Sequence, residues 1–261
     1  MYRAETVKIA LKACFKHAFL LVFPIRCLAC KTVLFHIHND GLCPECWSNI
    51  HFITTTICAK CGHPIQHRYN YRNQLENYRH ICNKCQLGKS DKVNYLDSIR
   101  AATLYRGTVQ RLVKNFKYDR QLLLRSLFVR WIMQSAREVL NEEDVILVPV
   151  PLHRRRLRWR KFNQSAALIK EIHAINGNSY ILDLLVRIVN TVPQNQVPRG
   201  EERWANIKDA FEMNKAYDIS NKNIVLIDDV ITTGATVNEC AKVLMEQGGA
   251  KKVFAVSIAK T

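Results

Sequence analysis

Short apolar runs rich in β-branched residues alternate along this chain with longer stretches of helical spacing. Ser98 to Tyr105 (SIRAATLY), Val145 to Val150 (VILVPV), Ile224 to Ile227 (IVLI) and Val253 to Ile258 (VFAVSI) predict strands, the continuous ones buried in a parallel sheet. Between the first two, Leu112, Val113, Phe116, Leu122 to Leu124, Leu127, Phe128, Trp131 and Ile132 supply a helical apolar face. Ser165 to Ile175 predicts a helix closed by Asn176-Gly177, and Val237 to Met245 another, ended by Gly248-Gly249. Tyr180 to Val189 and a turn-rich segment (TVPQNQVPRGEER) lead to Trp204, Ala205, Asn206, Ile207 and Phe211, where the chain returns to the core. Strands alternating with helices predict an α/β fold, a Rossmann-like parallel sheet with flanking helices, over residues 96–261.

Residues 26–95 follow a different logic. Cys27 and Cys30 precede Cys43 and Cys46, and Cys58 and Cys61 precede Cys82 and Cys85, so eight of the 10 cysteines fall in C-x-x-C pairs. Each couple of pairs can supply four thiolates to a closed, tetrahedral structural Zn²⁺ site. Two zinc ions with sequential pairing are expected, and an interleaved pairing (first with third, second with fourth) stays open. The region has few long apolar runs, so metal is expected to hold it together. Cys14 and Cys240 read as small buried residues, and His36, His38, His63, His67 and His80 as surface histidines.

Residues 1–25 predict an amphipathic helix packed on the body of the protein. The apolar stretch 7–23 is interrupted by Lys8, Lys12, Lys16 and His17 and closed by Pro24. It is too short to span a bilayer and no cleavage site follows it, so a reducing cytoplasm is the expected location.

The strand at Ile224 to Ile227 is expected to end at two adjacent carboxylates, Asp228 and Asp229. Thr232, Thr233, Gly234, Ala235 and Thr236 then form a small-residue loop before the helix. Strand, loop and helix in this order let backbone N–H groups and a helix N-terminus hold a phosphate, while the carboxylates hold sugar hydroxyls or a phosphate-bound Mg²⁺. The stretch NIVLIDDVITTGAT resembles the phosphoribosyl-pyrophosphate (PRPP) motif of type I phosphoribosyltransferases.

Charge adds a second theme. The net charge is +17, and residues 101–175 carry 15 Lys/Arg against 6 Asp/Glu whereas 176–261 balance at 10 against 10. Such asymmetry points to a polyanionic partner, nucleic acid first and an anionic membrane surface second. Arg111, Lys114 and Lys117 share one helix face, which a solvated surface explains equally well. The most basic stretch reads as a loop after the strand at Val150: Arg154, Arg155, Arg156, Arg158, Trp159, Arg160, Lys161, Phe162, Asn163 and Gln164. Guanidinium groups interleaved with Trp159 and Phe162 suit single-stranded nucleic acid, whose bases stack on aromatic rings. The same arginines also suit the pyrophosphate of PRPP.

Taken together the chain resembles the ComF (ComFC/GntX) family over nearly its full length. The resemblance is carried by Phe23-Pro24, the cysteine pairs, Pro149-Val150-Pro151-Leu152, Phe162-Asn163-Gln164, Arg187 followed by Gln194, Arg203 with Asn206, Phe211, and Asp228 to Thr236. Where that family usually has Arg-Gly before Phe-Asn-Gln, this chain has Arg160-Lys161. The resemblance implies a type I phosphoribosyltransferase-like domain behind a cysteine-rich zinc region. It also implies a cytoplasmic protein of natural transformation that acts on incoming single-stranded DNA behind the uptake machinery and carries a PRPP-type site. Two other functions are compatible with the residues: an active phosphoribosyltransferase, with Asp228 and Asp229 steadying ribose and Mg²⁺, and a zinc-based protein-interaction adaptor.

Overall fold

The computed structural model describes residues 24–34, 39–54, 56–65, 80–86, 95–118, 122–192, 197–198 and 201–261. The helix expected over residues 1–25 lies almost entirely outside them, as do Cys14, His36, His38, His67 and Gln194. The cysteine region contains β1 (Ile25–Arg26) and β2 (Val33–Leu34), paired antiparallel, then helices α1 (Pro44–Ser48) and α2 (Asn83–Gln86). There follow β3 (Ser98–Leu104), α3 (Thr108–Tyr118), α4 (Leu122–Ser135), α5 (Arg137–Leu140), β4 (Val145–Pro149), α6 (Arg154–Arg160) and α7 (Gln164–Asn176). The rest is β5 (Ser179–Tyr180), β6 (Leu185–Arg187), α8 (Glu201–Ala205), β7 (Phe211–Met213), β8 (Asn223–Ile231), α9 (Ala235–Glu246) and β9 (Lys252–Lys260).

Five strands form one parallel sheet in the order β3-β9-β8-β4-β5, while β6 and β7 pair antiparallel as a separate ribbon. All four runs expected as strands lie in the parallel sheet. Side chains alternate across a strand, so Val225 and Ile227 enter one core with Leu112, Phe116 and Ile172, and Ile224 and Leu226 enter a second with Leu185, Cys240 and Leu244. Burial on both faces is why these runs are continuously apolar. On α3, Val109, Leu112, Val113 and Phe116 follow the helical period and are all buried.

Two local expectations need correction. The strand through Ile224 does not stop at the aspartates; β8 runs on to Ile231. Its neighbour β9 pairs with it as far as Ile231, whereas β4 pairs only as far as Ile227. Residues 228–231 therefore project beyond β4 with one side of the strand open. The basic stretch is likewise a helix rather than a loop. The side chain of His153 accepts from the backbone N–H of Arg155 at the start of α6, and Lys161, in the left-handed region at φ 65°, ends it.

The cysteine region covers the outer edge of β3. Phe52 bridges Thr103, Ile53 N donates to Ala102 O (2.9 Å), and Ile99 N donates to Lys60 O (2.8 Å). Gly62 is needed for that approach: its φ is 66°, and a Cβ there would lie 2.3 Å from Ile99 O. Metal is not alone in holding this region, contrary to expectation. Leu28, Leu34, Leu42 and Ile50 join the same apolar cluster as Leu112, Phe116 and Trp131.

Candidate functional site

A cleft of about 730 Å³ opens at the carboxyl ends of β4 and β8. The chain leaves β4 toward β5 on one side and β8 toward β9 on the other, the position at which open α/β sheets bind ligands. Because β8 overruns β4, Asp228 and Asp229 line this cleft rather than being flanked by another strand. Asp229 Oδ2 lies 3.0 Å from Lys117 Nζ of α3. Asp228 Oδ1 accepts the backbone N–H of Asp229 at 2.8 Å. Burial, followed by the charge of Asp229, pushes the Asp228 carboxyl up to about 7. Burial opposes the charge on Lys117, but its pairing with Asp229 prevails and leaves its pKa raised.

Beyond Ile231, Thr232 and Thr233 turn the chain into Gly234, which caps α9 at φ 83°. This conformation is easy for glycine and strained for other residues. Thr233 Oγ1 accepts from Ala235 N (3.4 Å), and Ala235, Thr236 and Val237 of the first helical turn line the cleft. Unpaired N–H groups and the positive end of the helix dipole make such a turn attractive to an anion. The charged side chains lining the cleft are Lys114, Lys117, Arg156, Arg160 and Arg187 against Asp228 and Asp229. The balance favours a multiply charged anion.

Arg187 is 6% exposed. One of its guanidinium nitrogens donates to Thr191 Oγ1, its Nε has no partner, and the group lies 5.5 Å over the Phe211 ring. Arg156 Nη2 donates to the carbonyl of the same Thr191 at 2.8 Å. Burial and then the charge of Arg156 lower the Arg187 pKa to about 10.

Two cysteine groups lie apart from the cleft. Cys27, Cys30, Cys43 and Cys46 form one tetrad and Cys58, Cys61, Cys82 and Cys85 the other, with sulfurs in each within 4.8 Å of one another. The pairing is sequential. Cys30 and Cys43 sulfurs are 3.7 Å apart, as are those of Cys61 and Cys82. Zn–S bonds of about 2.3 Å in a tetrahedron require sulfur separations of roughly 3.8 Å, so the donors fit two zinc ions. Backbone N–H groups of Cys43 and Cys46 donate to Cys27 and Cys43 sulfurs at 3.3 and 3.4 Å, as they would to thiolates. His63 and His80 are exposed and join neither tetrad.

A double zinc ribbon domain model matches residues 18–86, and a phosphoribosyl transferase domain model matches residues 175–261. The chain is 28% identical over 234 residues to Competence protein F of Haemophilus influenzae, covering 87% of this chain and 93% of that protein. It is 29% identical over 247 residues to Competence protein ComFC of Streptococcus pneumoniae, covering 90% and 100%. The chain is a homologue of the ComF proteins. An adenine phosphoribosyltransferase from Thermoanaerobacter pseudethanolicus is similar at 14% identity and a TM-score of 0.34, over 54% of this chain and 83% of that one. The chain thus combines a region matched by the double zinc ribbon model with a parallel sheet whose C-terminal part is matched by the phosphoribosyl transferase model. Among the described residues no helix is long and apolar enough to cross a membrane.

The residues singled out in the sequence fall into three groups, with Gln164 belonging to both the first and the last. Asp228, Asp229, Thr232, Gly234, Ala235 and Thr236 line the cleft together with Arg156, Trp159, Arg160 and Gln164. Thr233 is exposed at its rim, and Arg154, Arg155, Arg158 and Lys161 are exposed outside it. Phe162 packs edge-on against Phe116, and Asn163 Oδ1 caps α7 by accepting from Ser165 N (2.9 Å). Gln164, 2% exposed, accepts from Arg160 Nη1 and donates to Lys117 O, both at 3.4 Å. These last three side chains are engaged in the fold. Lys117 and Arg187 escaped the sequence reading as site residues. Their signals were a basic residue beside the apolar face of α3 and a lone arginine inside an apolar run.

Proposed function

We propose that the cleft binds PRPP with Mg²⁺ in a cytoplasmic protein of natural transformation that handles incoming single-stranded DNA. One observation carries most of this reading: β8 overruns β4, so that Asp228 and Asp229 stand in a cation-rich cleft just ahead of the Gly234-capped helix. In this reading the first turn of α9, with the hydroxyls of Thr232, Thr233 and Thr236, holds the 5-phosphate. Asp228 and Asp229 offer the oxygen donors that suit ribose hydroxyls and Mg²⁺, and Arg156 and Arg160 face the pyrophosphate. The DNA component is supported by Arg154, Arg155, Arg158 and Lys161, exposed on and beside α6 around Trp159, which is 68% exposed. The relatives' names, competence proteins, agree with that role.

A second reading, an active phosphoribosyltransferase, is favoured by a carboxyl that titrates near neutrality inside the cleft. The bond from ribose C1 to pyrophosphate would break as a bond to an acceptor nitrogen forms, the nitrogen's proton passing to a base. Calorimetry with Mg²⁺-PRPP, followed by a pyrophosphate-release assay with nucleobases and single-stranded DNA as acceptors, tests both readings. Binding that is lost in Asp228→Asn/Asp229→Asn supports the site, and release that is lost with it makes the protein an enzyme. Wild-type protein that fails to bind Mg²⁺-PRPP rejects both.

A further inference from the structure

We propose that Arg156, Thr191 and Arg187 form a phosphate clamp at the junction of two cavities, separate from the turn at Thr232 to Gly234. Arg187 is the decisive residue. It is buried, it lines the cleft, it has an unpartnered Nε, and among the described residues it makes no ion pair. Asp228 of the same cleft attracts this guanidinium without touching it. A guanidinium withdrawn from water with no carboxylate in contact is a destabilising arrangement unless a ligand completes it. Its position is nonetheless fixed, by Thr191 Oγ1 on one side and the Phe211 ring 5.5 Å away on another.

Thr191 also holds the second cation. Its carbonyl accepts from Arg156 Nη2 at 2.8 Å, so one residue steers two guanidinium groups that repel each other. Two forked donors kept together in this way match a phosphate group, which accepts bidentate hydrogen bonds from each. Arg156 and Trp159 line both the cleft and an adjoining open groove of about 440 Å³, which also contains Arg155 and Thr191. The clamp therefore stands where a phosphate could arrive from either side: the pyrophosphate arm of a ligand in the cleft, or the backbone of a nucleic-acid strand in the groove. The clamp rests on its own geometry, and if the cleft takes PRPP it adds a second anchor to that site.

The test uses full-length zinc-loaded protein and two probes, inorganic pyrophosphate without magnesium and an oligothymidylate with a 5′-hydroxyl. Arg187→Met should melt at the same temperature as wild type or higher, because a buried unpaired charge is gone. Its affinity for at least one probe should fall roughly tenfold or more, as expected for lost charge-assisted hydrogen bonds. Thr191→Val keeps both charges and should lose several-fold. Loss confined to pyrophosphate assigns the clamp to the cleft ligand, loss confined to the oligonucleotide assigns it to the strand, and loss of both makes the probes competitors. Asp228→Asn/Asp229→Asn takes negative charge out of the cleft and should not weaken the binding of magnesium-free pyrophosphate, whereas the PRPP reading has it abolish the binding of Mg²⁺-PRPP. Weakened pyrophosphate binding in this variant counts against the clamp. Wild-type affinity of Arg187→Met for both probes overturns it. If Arg187→Met melts well below wild type, Thr191→Val decides, and unchanged affinity for both probes then overturns the clamp.

Discussion

Lys117 Nζ sits 3.0 Å from Asp229 Oδ2 with their side chains 20% and 12% exposed, joining α3 to the projecting end of β8. Removing one partner of a largely buried pair leaves the other charged and unpaired. Here the orphan would be Asp229, one residue from a second carboxylate. Lys117→Met is expected to destabilise the protein by on the order of 3 kcal/mol, read from the shift of a urea-unfolding midpoint. Asp229→Asn in that background should recover part of the loss, because the two residues share one interaction. An unchanged midpoint in Lys117→Met would show that the pair contributes nothing to stability.

Asp228 makes the ligand-free protein sensitive to pH. Its carboxyl is raised from 3.8 to about 7, by burial first and Asp229 second, so the fold favours the neutral form. The associated stability is fully present below the unfolded value and is lost as pH rises through about 7. Melting temperatures of wild type should therefore decline over that window relative to those of Asp228→Asn, which cannot ionise. Binding of Mg²⁺-PRPP should respond in the opposite sense and strengthen as Asp228 ionises. Parallel melting curves for the two proteins across the window would remove Asp228 as the source.

Helix α3 ties the zinc region to the cleft. Arg111 Nη2 lies 3.7 Å from Cys46 Sγ, Asn115 Nδ2 donates to Leu28 O at 2.8 Å, and Lys117 pairs with Asp229. Since the first tetrad also shares its core with Leu112 and Phe116, its loss should be felt throughout the chain. Cys43→Ser, or zinc removal by a chelator, is expected to lower the melting temperature of the whole protein in one transition and to weaken PRPP binding. Two transitions in calorimetry, the later one at the wild-type temperature, would instead mark the ribbons as an independent unit.

Much of this was legible in the sequence because the signals were local. Continuous apolar runs marked the parallel strands, C-x-x-C spacing gave both tetrads, and Gly234 marked the turn into α9. What escaped depended on pairing and packing with residues distant in sequence, or on local caps that spacing alone does not reveal. The extension of β8 past Asp229 is set by pairing with β9, and the helical state of 154–160 by caps at His153 and Lys161. Asn163 and Phe162 read as ligand contacts because their partners, the α7 N-terminus and Phe116, appear only once the chain is folded. Lys117 is marked in the sequence only as part of a basic helix face and Arg187 only through the family resemblance; their place in the cleft becomes visible once burial is known.

The exposed face of α6 yields a prediction in which two contributions to DNA binding separate. Arg155 and Arg158 are exposed outside the cleft, where contact with strand phosphates would release counterions, so affinity should fall linearly with salt on a log–log scale. Arg155→Ala/Arg158→Ala removes about two such contacts and should flatten the slope by roughly 1.4 for a single strand. Trp159 offers a ring for base stacking, and Trp159→Ala should cost about 1–3 kcal/mol of affinity while leaving the slope unchanged. Fluorescence anisotropy with a labelled oligothymidylate over a salt series measures both quantities. The separation matters because a merely solvated basic helix also gives weak, salt-sensitive binding but has no reason to depend on Trp159. A Trp159→Ala protein that binds like wild type, or a wild-type affinity indifferent to salt, would remove α6 from the DNA-binding surface.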